Sequence, residues 1–374
     1  MPAVIVGYAR SPFTPAKKGA LARTRPDDIA AAVVNRLISD IGIDPSLVED
    51  LIVGCAFPEA EQGYNLARII TFLTDLPETV PGVTVNRFCG SSMQSIHDAA
   101  ARINSGQGCA FIAGGVESMS RIPMTGFNPM PNPVLAEEAM TSMGITAENL
   151  SKIHGIDRDA QEAFAIESQA RANNAREAGS FAGEIVPIET TDGTVHEDGC
   201  IRPGTNAEGL GKLRPVFDAN GTVTAGTASP LTDGAAFVFV CSEEFAAEHG
   251  LVPMARIKSA AVSGCAPEIM GIGPVIASRK ALERAGLSLD DIDLIELNEA
   301  FAAQSLAVIG ELGLDTDKVN IEGGAIALGH PLGASGARIT GKAAQLMQKN
   351  GAEHALATLC VGGGMGMATV LERV

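Results

Sequence analysis

Two stretches of this 374-residue chain follow one plan. Residues 29–41 read as an amphipathic helix that stops at Gly42 and leads into the apolar run Leu51-Ile52-Val53. Residues 276–285 read the same way, stop at Gly286 and lead into Leu294-Ile295. The two glycines stand 244 positions apart, and the apolar strand pattern from Ala110 recurs from Ala355, 245 positions on. Chance similarity of amphipathic helices explains one match more easily than two at nearly the same offset. The chain is therefore read as two copies of one α/β unit.

Apolar periodicity, with Pro and Gly as punctuation, predicts the elements of the first copy. They are a helix over 27–41, a strand over 50–54, a helix over 65–76, a strand over 82–86, a helix over 91–104 and a strand over 110–114. Residues 119–230 fit neither copy. They open on a stretch rich in Pro, Met and Asn (122–134), continue with polar helices near 146–154 and 157–178, and end in short strand-like pieces. This segment is expected to be an inserted substrate-binding excursion. The expected division is residues 1–118 plus 231–250, the insertion 119–230, and a second half over 251–374.

With 46% hydrophobic residues the chain can bury a large core, and 42 glycines with no Trp point to close backbone packing rather than aromatic anchoring. A formal charge of −17 gives no general attraction for nucleic acid or anionic membrane, so an anionic substrate would need a local basic patch. The N-terminus reads as a buried strand rather than a signal peptide, and no apolar run is long enough to span a bilayer. Seven scattered cysteines with no C-x-x-C pair fit reduced thiols in the cytoplasm, without a zinc site.

Two of those cysteines stand out. Cys89 lies where a predicted strand gives way to a predicted helix, in Asn86-Arg87-Phe88-Cys89-Gly90-Ser91-Ser92. That junction exposes a side chain and aims helix amides at it, which is expected to lower a thiol pKa and to stabilise an oxyanion. Cys360 precedes Val361-Gly362-Gly363-Gly364-Met365-Gly366. His330 sits in a glycine-rich loop, held towards an extended conformation by Pro331, as a general base would be. Asn298 ends the strand predicted over 292–297, where ligands bind in parallel sheets, although a helix N-cap explains it equally well. The other five cysteines and five histidines read as structural. Residues 336–343 nearly match a phosphate-binding P-loop, but Ala343 replaces the magnesium ligand and the stretch reads as a helix.

Residues 85–94, 224–229, 298–301, 323–333 and 360–366 together resemble the motifs of the thiolase family, over essentially the whole chain. Within it, residues 89–94 look most like the bacterial 3-ketoacyl-CoA thiolases of fatty-acid β-oxidation. The resemblance implies the thiolase fold: two duplicated βαβαβαββ halves in a five-layered α-β-α-β-α arrangement. It implies CoA-dependent cleavage of 3-ketoacyl-CoA through an acyl-Cys89 intermediate. His330 would take the Cys89 proton, Asn298 would hold a water at an oxyanion hole, and Cys360 would act as the second acid/base. The amides of Cys89 and Gly362 would stabilise tetrahedral intermediates. Arg202 would reach a CoA phosphate, Ser229 and Ala225 the pantetheine, and Met143, Phe217, Met270 and Phe301 would line its channel.

CoA is then a co-substrate, with no permanently bound cofactor. A homodimer or homotetramer is expected, and a multifunctional hydratase/dehydrogenase subunit is a candidate partner. The alternative is an acetoacetyl-CoA thiolase run towards condensation. A decarboxylating condensing enzyme would use two histidines with one cysteine, and a catalytically dead lipid carrier would have no need of Cys89, His330 and Cys360 together. Met365 stands where the family often has Gln, and the short insertion leaves chain-length preference open.

Overall fold

The computed structural model describes residues 1–135 and 141–374. Part of the expected excursion, residues 136–140, lies outside the described residues. The first half runs β1 (Ala3–Arg10), β2 (Thr14–Pro15), α1 (Pro26–Ile41), β3 (Asp50–Gly54), α2 (Leu66–Phe72), β4 (Gly82–Val85), α3 (Ser91–Asn104) and β5 (Ala110–Ser118). The chain then leaves the sheet through α4 (Met143–His154), α5 (Arg158–Glu177), the hairpin β6 (Ile188–Thr190) and β7 (Gly193–Val195), and α6 (Ala207–Gly211). It returns as β8 (Thr232–Ser242), followed by α7 (Glu243–Glu248). The second half is β9 (Ala255–Gly264), α8 (Gly273–Ala285), β10 (Leu294–Leu297), α9 (Ala302–Leu312), α10 (Ala325–Leu328), α11 (Ser335–Asn350), β11 (His354–Val361) and β12 (Met365–Glu372).

The duplication is real in three dimensions. In the first half the strand order is β1-β8-β5-β3-β4, and in the second it is β9-β12-β11-β10. β5 pairs antiparallel with β8 and parallel with β3; β11 pairs antiparallel with β12 and parallel with β10. The counterpart of β4 has shrunk to a single parallel bridge, Ile295 to Val319. The offset holds: α3 and α11 begin at Ser91 and Ser335, and β5 and β11 at Ala110 and His354. Gly42 and Gly286 end α1 and α8 in the same left-handed conformation, φ 74° and 70°, where glycine carries no Cβ penalty. An antiparallel contact between β1 and β9 joins the two sheets.

Strand alternation dictates the layering. Along β8, Ala236, Val238 and Val240 face one apolar cluster, while Phe237, Phe239 and Cys241 face another. β11 does the same with Ala355, Ala357 and Leu359 against Leu356. Strands buried on both faces need helices on both sides. α1 and α2 cover one outer face, and α8 and α9 the other. α3 and α11 lie between the sheets and share one core, with Met93, Ile96 and Ile103 from α3 and Ile339, Leu346 and Met347 from α11. This is the expected five-layered α-β-α-β-α arrangement. Among the described residues no helix is long and apolar enough to cross a membrane.

Three local expectations need correction. The strand over 110–114 continues to Ser118, because its glycines serve close packing rather than a turn: a Cβ on Gly114 would lie 2.3 Å from the Ala236 carbonyl oxygen. The helix over 65–76 stops at Phe72, with Asn65 as its cap. The helix after Asn298 begins at Ala302, so Asn298 is not its cap.

Two glycine substitutions separate conformational from steric demands. Gly42→Ala meets nothing within 4 Å and should cost about 1 kcal/mol, the left-handed penalty alone. Gly54→Ala would put a Cβ 2.3 Å from the Ser91 carbonyl carbon and should cost about 3 kcal/mol. Thermal melting of the two variants checks the order; equal losses would refute the steric argument.

Candidate active site

Cys89 stands on a stapled turn between β4 and α3. Asn86 Oδ1 accepts the Phe88 N–H (2.8 Å), and Asn86 Nδ2 donates to the Ala56 carbonyl (3.1 Å). Ser91 Oγ accepts the Arg87 N–H (2.9 Å) and donates to the Phe88 carbonyl (2.6 Å). Phe88 is forced to φ 44°, a conformation rare for a residue with a side chain and one that persists only where its surroundings fix it. Gly90 has no room for more: a Cβ there would lie 2.5 Å from Met367 Sδ. Cys89 packs against the apolar cluster of Ala56, Met119 and Leu332, and the N–H groups of Gly362 and of Cys89 itself reach its sulfur.

The expected lowering of the Cys89 pKa is reversed. The residue as a whole is half-buried, but its sulfur sits among protein atoms, and burial pushes the thiol up to about 11. The Glu117 charge adds to the rise, while the two amides pull against it.

Cys360 lies near the end of β11, opposite Gly366 of β12. Gly363 and Gly364, at φ 79° and 80°, turn the chain between the strands. The Cys360 thiol is buried, packs with Met143, Ala147, Met270 and Phe301, and is pushed well above the ordinary thiol range by burial and then by Cys89. The Cys360 thiol therefore lies within electrostatic reach of Cys89. Phe217 meets Phe301 edge-on, with ring centroids 5.8 Å apart. Four expected channel residues therefore gather at Cys360.

His330 is buried in an extended segment that bridges Leu231, as Pro331 leads one to expect. Its N–H donates to Thr232 Oγ1 (3.0 Å). Its Nδ1 lies 2.5 Å from Ser335 Oγ, which donates to the Pro331 carbonyl (3.0 Å). With that hydroxyl proton used, Nδ1 carries the ring proton and donates to Ser335, leaving the Nε2 lone pair 3.4 Å from Asn298 Nδ2. Asn298 is fully buried, and its Oδ1 has no hydrogen-bond partner among the described residues. Burial, with the Arg338 charge behind it, depresses the His330 pKa to about 3.

The remaining predicted residues lie alongside. Arg202 is exposed and shares a cleft with Ala225, Ala228 and Leu213. Ser229 Oγ donates to the Ala300 carbonyl (3.0 Å). A larger groove between residues 17–23 and 190–197 carries none of the predicted residues. Among the described residues no His/Cys/Asp/Glu cluster could hold a metal. Sequence reading missed Thr232 and Ser335, which fix His330, and Glu117, which was visible only as a lone acid ending an apolar strand.

Two pH responses follow. The His330 ring should stay neutral and show no titration above pH 5 by NMR. Alkylation of Cys89 by iodoacetamide, followed by peptide mass spectrometry, should rise about tenfold per pH unit from 7 to 10. A plateau near pH 8 would contradict the burial argument.

Residues 3–244 match the family described as "Thiolase, N-terminal domain" and residues 251–373 match "Thiolase, C-terminal domain". The chain is 51% identical to a 3-ketoacyl-CoA thiolase of Idiomarina loihiensis and 48% identical to one of Bacillus subtilis, each comparison spanning 99% of both chains. Among solved structures it resembles human mitochondrial 3-ketoacyl-CoA thiolase, with a TM-score of 0.93 and 39% identity over 100% of this chain and 99% of that one. The same human enzyme in complex with CoA and an acetyl-CoA acetyltransferase of Bacillus anthracis each give a TM-score of 0.92 at 39% identity, over 100% of this chain and 98% and 99% of those chains, respectively. The chain belongs to the thiolase family.

Proposed function

We propose that this protein cleaves 3-ketoacyl-CoA with CoA, releasing acetyl-CoA and a shortened acyl-CoA through an acyl-Cys89 intermediate. The observation that carries the reading is a pair of thiols within electrostatic reach of each other, with a buried imidazole on the loop whose Leu332 belongs to the cluster that Cys89 packs against. Cleaving a C–C bond next to a thioester needs a nucleophile at the ketone and a proton donor at the departing carbon.

In the acylation half, His330 Nε2 takes the Cys89 proton as the sulfur attacks the 3-keto carbon. The C2–C3 bond breaks, its electron pair passes to C2, and Cys360 protonates C2, so acetyl-CoA leaves. In the second half, the Cys360 thiolate takes the proton of incoming CoA, whose sulfur attacks the acyl carbon. The Cys89 sulfur departs and recovers its proton from His330. The N–H groups of Cys89 and Gly362 are assigned to hold the oxyanion at the acyl carbon, and the Asn298–His330 pair one beside it. The high thiol pKa of Cys360 suits a donor to carbon, because the α-carbon of a thioester is a very weak acid. Arg202, Ser229 and Ala225 are assigned to CoA, and Met143, Phe217, Met270 and Phe301 to the pantetheine arm.

CoA serves as co-substrate and no cofactor is held permanently. We infer a homo-oligomer, with a hydratase/dehydrogenase subunit as candidate partner. All seven cysteines are free, which suits the reducing cytoplasm. Residues 119–230 are assigned as the substrate-binding insertion. The names of the relatives near 50% identity favour degradation over acetoacetyl-CoA condensation.

Cleavage assays over four- to sixteen-carbon 3-ketoacyl-CoAs test the reading. Activity should require free CoA and extend beyond the four-carbon substrate. Cys89→Ser should lose at least about 10³-fold in kcat, and an acyl group should appear on Cys89 by mass spectrometry when CoA is withheld. Sharp four-carbon preference would favour the condensation enzyme instead.

A further inference from the structure

Glu117 near the end of β5 is fully buried, and among the described residues no Lys or Arg pairs with it. Backbone and amide donors hold it instead. Its Oε2 accepts the N–H of Ala56 (2.7 Å) and of Gly333 (3.0 Å). Its Oε1 accepts Gln62 Nε2 (2.7 Å) and the N–H of Phe57 (3.4 Å). Gln62 cannot reverse its amide without loss, because its own oxygen accepts the Ser118 N–H (2.6 Å). A buried carboxylate satisfied by neutral donors alone is costly. Its location explains what it does.

The apolar cluster that Cys89 packs against lies close to Glu117: Ala56 donates to it, Leu332 precedes Gly333, and Met119 is two positions after it in the chain. Gly333 is three residues from His330. A Cβ on Gly333 would lie 2.9 Å from Glu117 Oε2, and one on Gly115 would lie 2.1 Å from the Gly333 carbonyl oxygen. The loop therefore docks on β5 by backbone contact.

We propose that Glu117 is a positioning residue: one carboxylate from the first half holds the wall of the Cys89 pocket and the His330 loop of the second half in register. The proposal rests on the thiolytic reading above. The charge also bears on Cys89, disfavouring its thiolate. The other titratable groups acting on this cluster are Cys55, whose Sγ lies 3.7 Å from Glu117 Oε1, and Cys360, which faces Cys89 from β11.

The test compares wild type, Glu117→Gln, and the pair Gln62→Glu with Glu117→Gln, which restores a donor–acceptor match. Each is measured for kcat, KM for CoA, thermal midpoint, and Cys89 alkylation by iodoacetamide against pH. Glu117→Gln sets its new NH₂ against the Gln62 amide donor. It should lower kcat about 10- to 100-fold while KM for CoA changes less than about twofold, and it should move Cys89 alkylation to lower pH. The double variant should recover much of kcat. Wild-type kcat in Glu117→Gln overturns the proposal. So does a loss of kcat with an unmoved alkylation profile and no recovery in the double variant, which would mean a merely structural role. Wild type that fails to cleave 3-ketoacyl-CoA would sink the thiolytic reading, while the alkylation shift still decides for Glu117. Should Glu117→Gln not fold, Gln62→Leu removes the key donor alone, and unchanged kcat and alkylation in that variant overturn the proposal.

Discussion

The structure depends on how closely two helices share the space between two sheets. α3 and α11 touch at their N-termini: Ser92 Oγ accepts the Ala337 N–H (2.9 Å), and a Cβ on Gly336 would lie 2.4 Å from the Met93 nitrogen. That approach puts the turn carrying Cys89 and the loop carrying His330 at one end of the buried layer. Polar side chains there have protein, not water, around them. The site is a consequence of the packing, and its electrostatics are a consequence of the site.

Burial moves each key group away from charge. The Cys89 and Cys360 thiols are pushed up and the His330 imidazole is pushed down. At neutral pH the resting site holds two thiols and a neutral ring, so no ion pair must be broken before substrate enters. A thiolate formed during attack has a high parent pKa and is correspondingly nucleophilic. The amides of Gly362 and Cys89 reach the Cys89 sulfur and favour negative charge there. Charge is buried elsewhere, as structure. Arg10 of β1 binds Asp198 through two bonds (2.7 and 2.8 Å) and Glu184 through one (2.7 Å), while Lys342 of α11 pairs with both Glu184 and Glu322. This network ties the excursion to the central layer, and losing one partner would strand the others uncompensated.

Much of this was legible from residues alone. Gly42 and Gly286 marked equivalent helix ends, and α3 lies over the predicted range. Cys89, His330 and Cys360 were singled out by turns that a backbone needs glycine or proline to make. What stayed hidden depends on distance between segments. Helix-end reasoning predicted a low Cys89 pKa because it sees the local dipole and not the desolvation that burial in the folded chain imposes. Gly114 and Gly115 looked like a strand end because the backbones they accommodate lie far away in sequence. Thr232, Ser335 and Glu117 carry no motif of their own, and their roles appear once their acceptors and donors are in place.

The duplication also explains why two equivalent helix starts make one site. Cys89 stands two residues before α3, and the corresponding place before α11, 244 positions on, is Gly333. A side chain there would strike the Val116 carbonyl oxygen at 2.6 Å and Glu117 at 2.9 Å. The second turn therefore cannot present a nucleophile. Its backbone N–H docks on the first half instead, and its neighbours are Leu332, in the cluster that Cys89 packs against, and His330, the proposed base. In the same offset Cys360 corresponds to Val116, on a strand that continues through Glu117 and Ser118 instead of turning at glycines. Each half has kept what the other lacks. The catalytic asymmetry arises from small differences at matched positions, carried by two nearly identical frameworks.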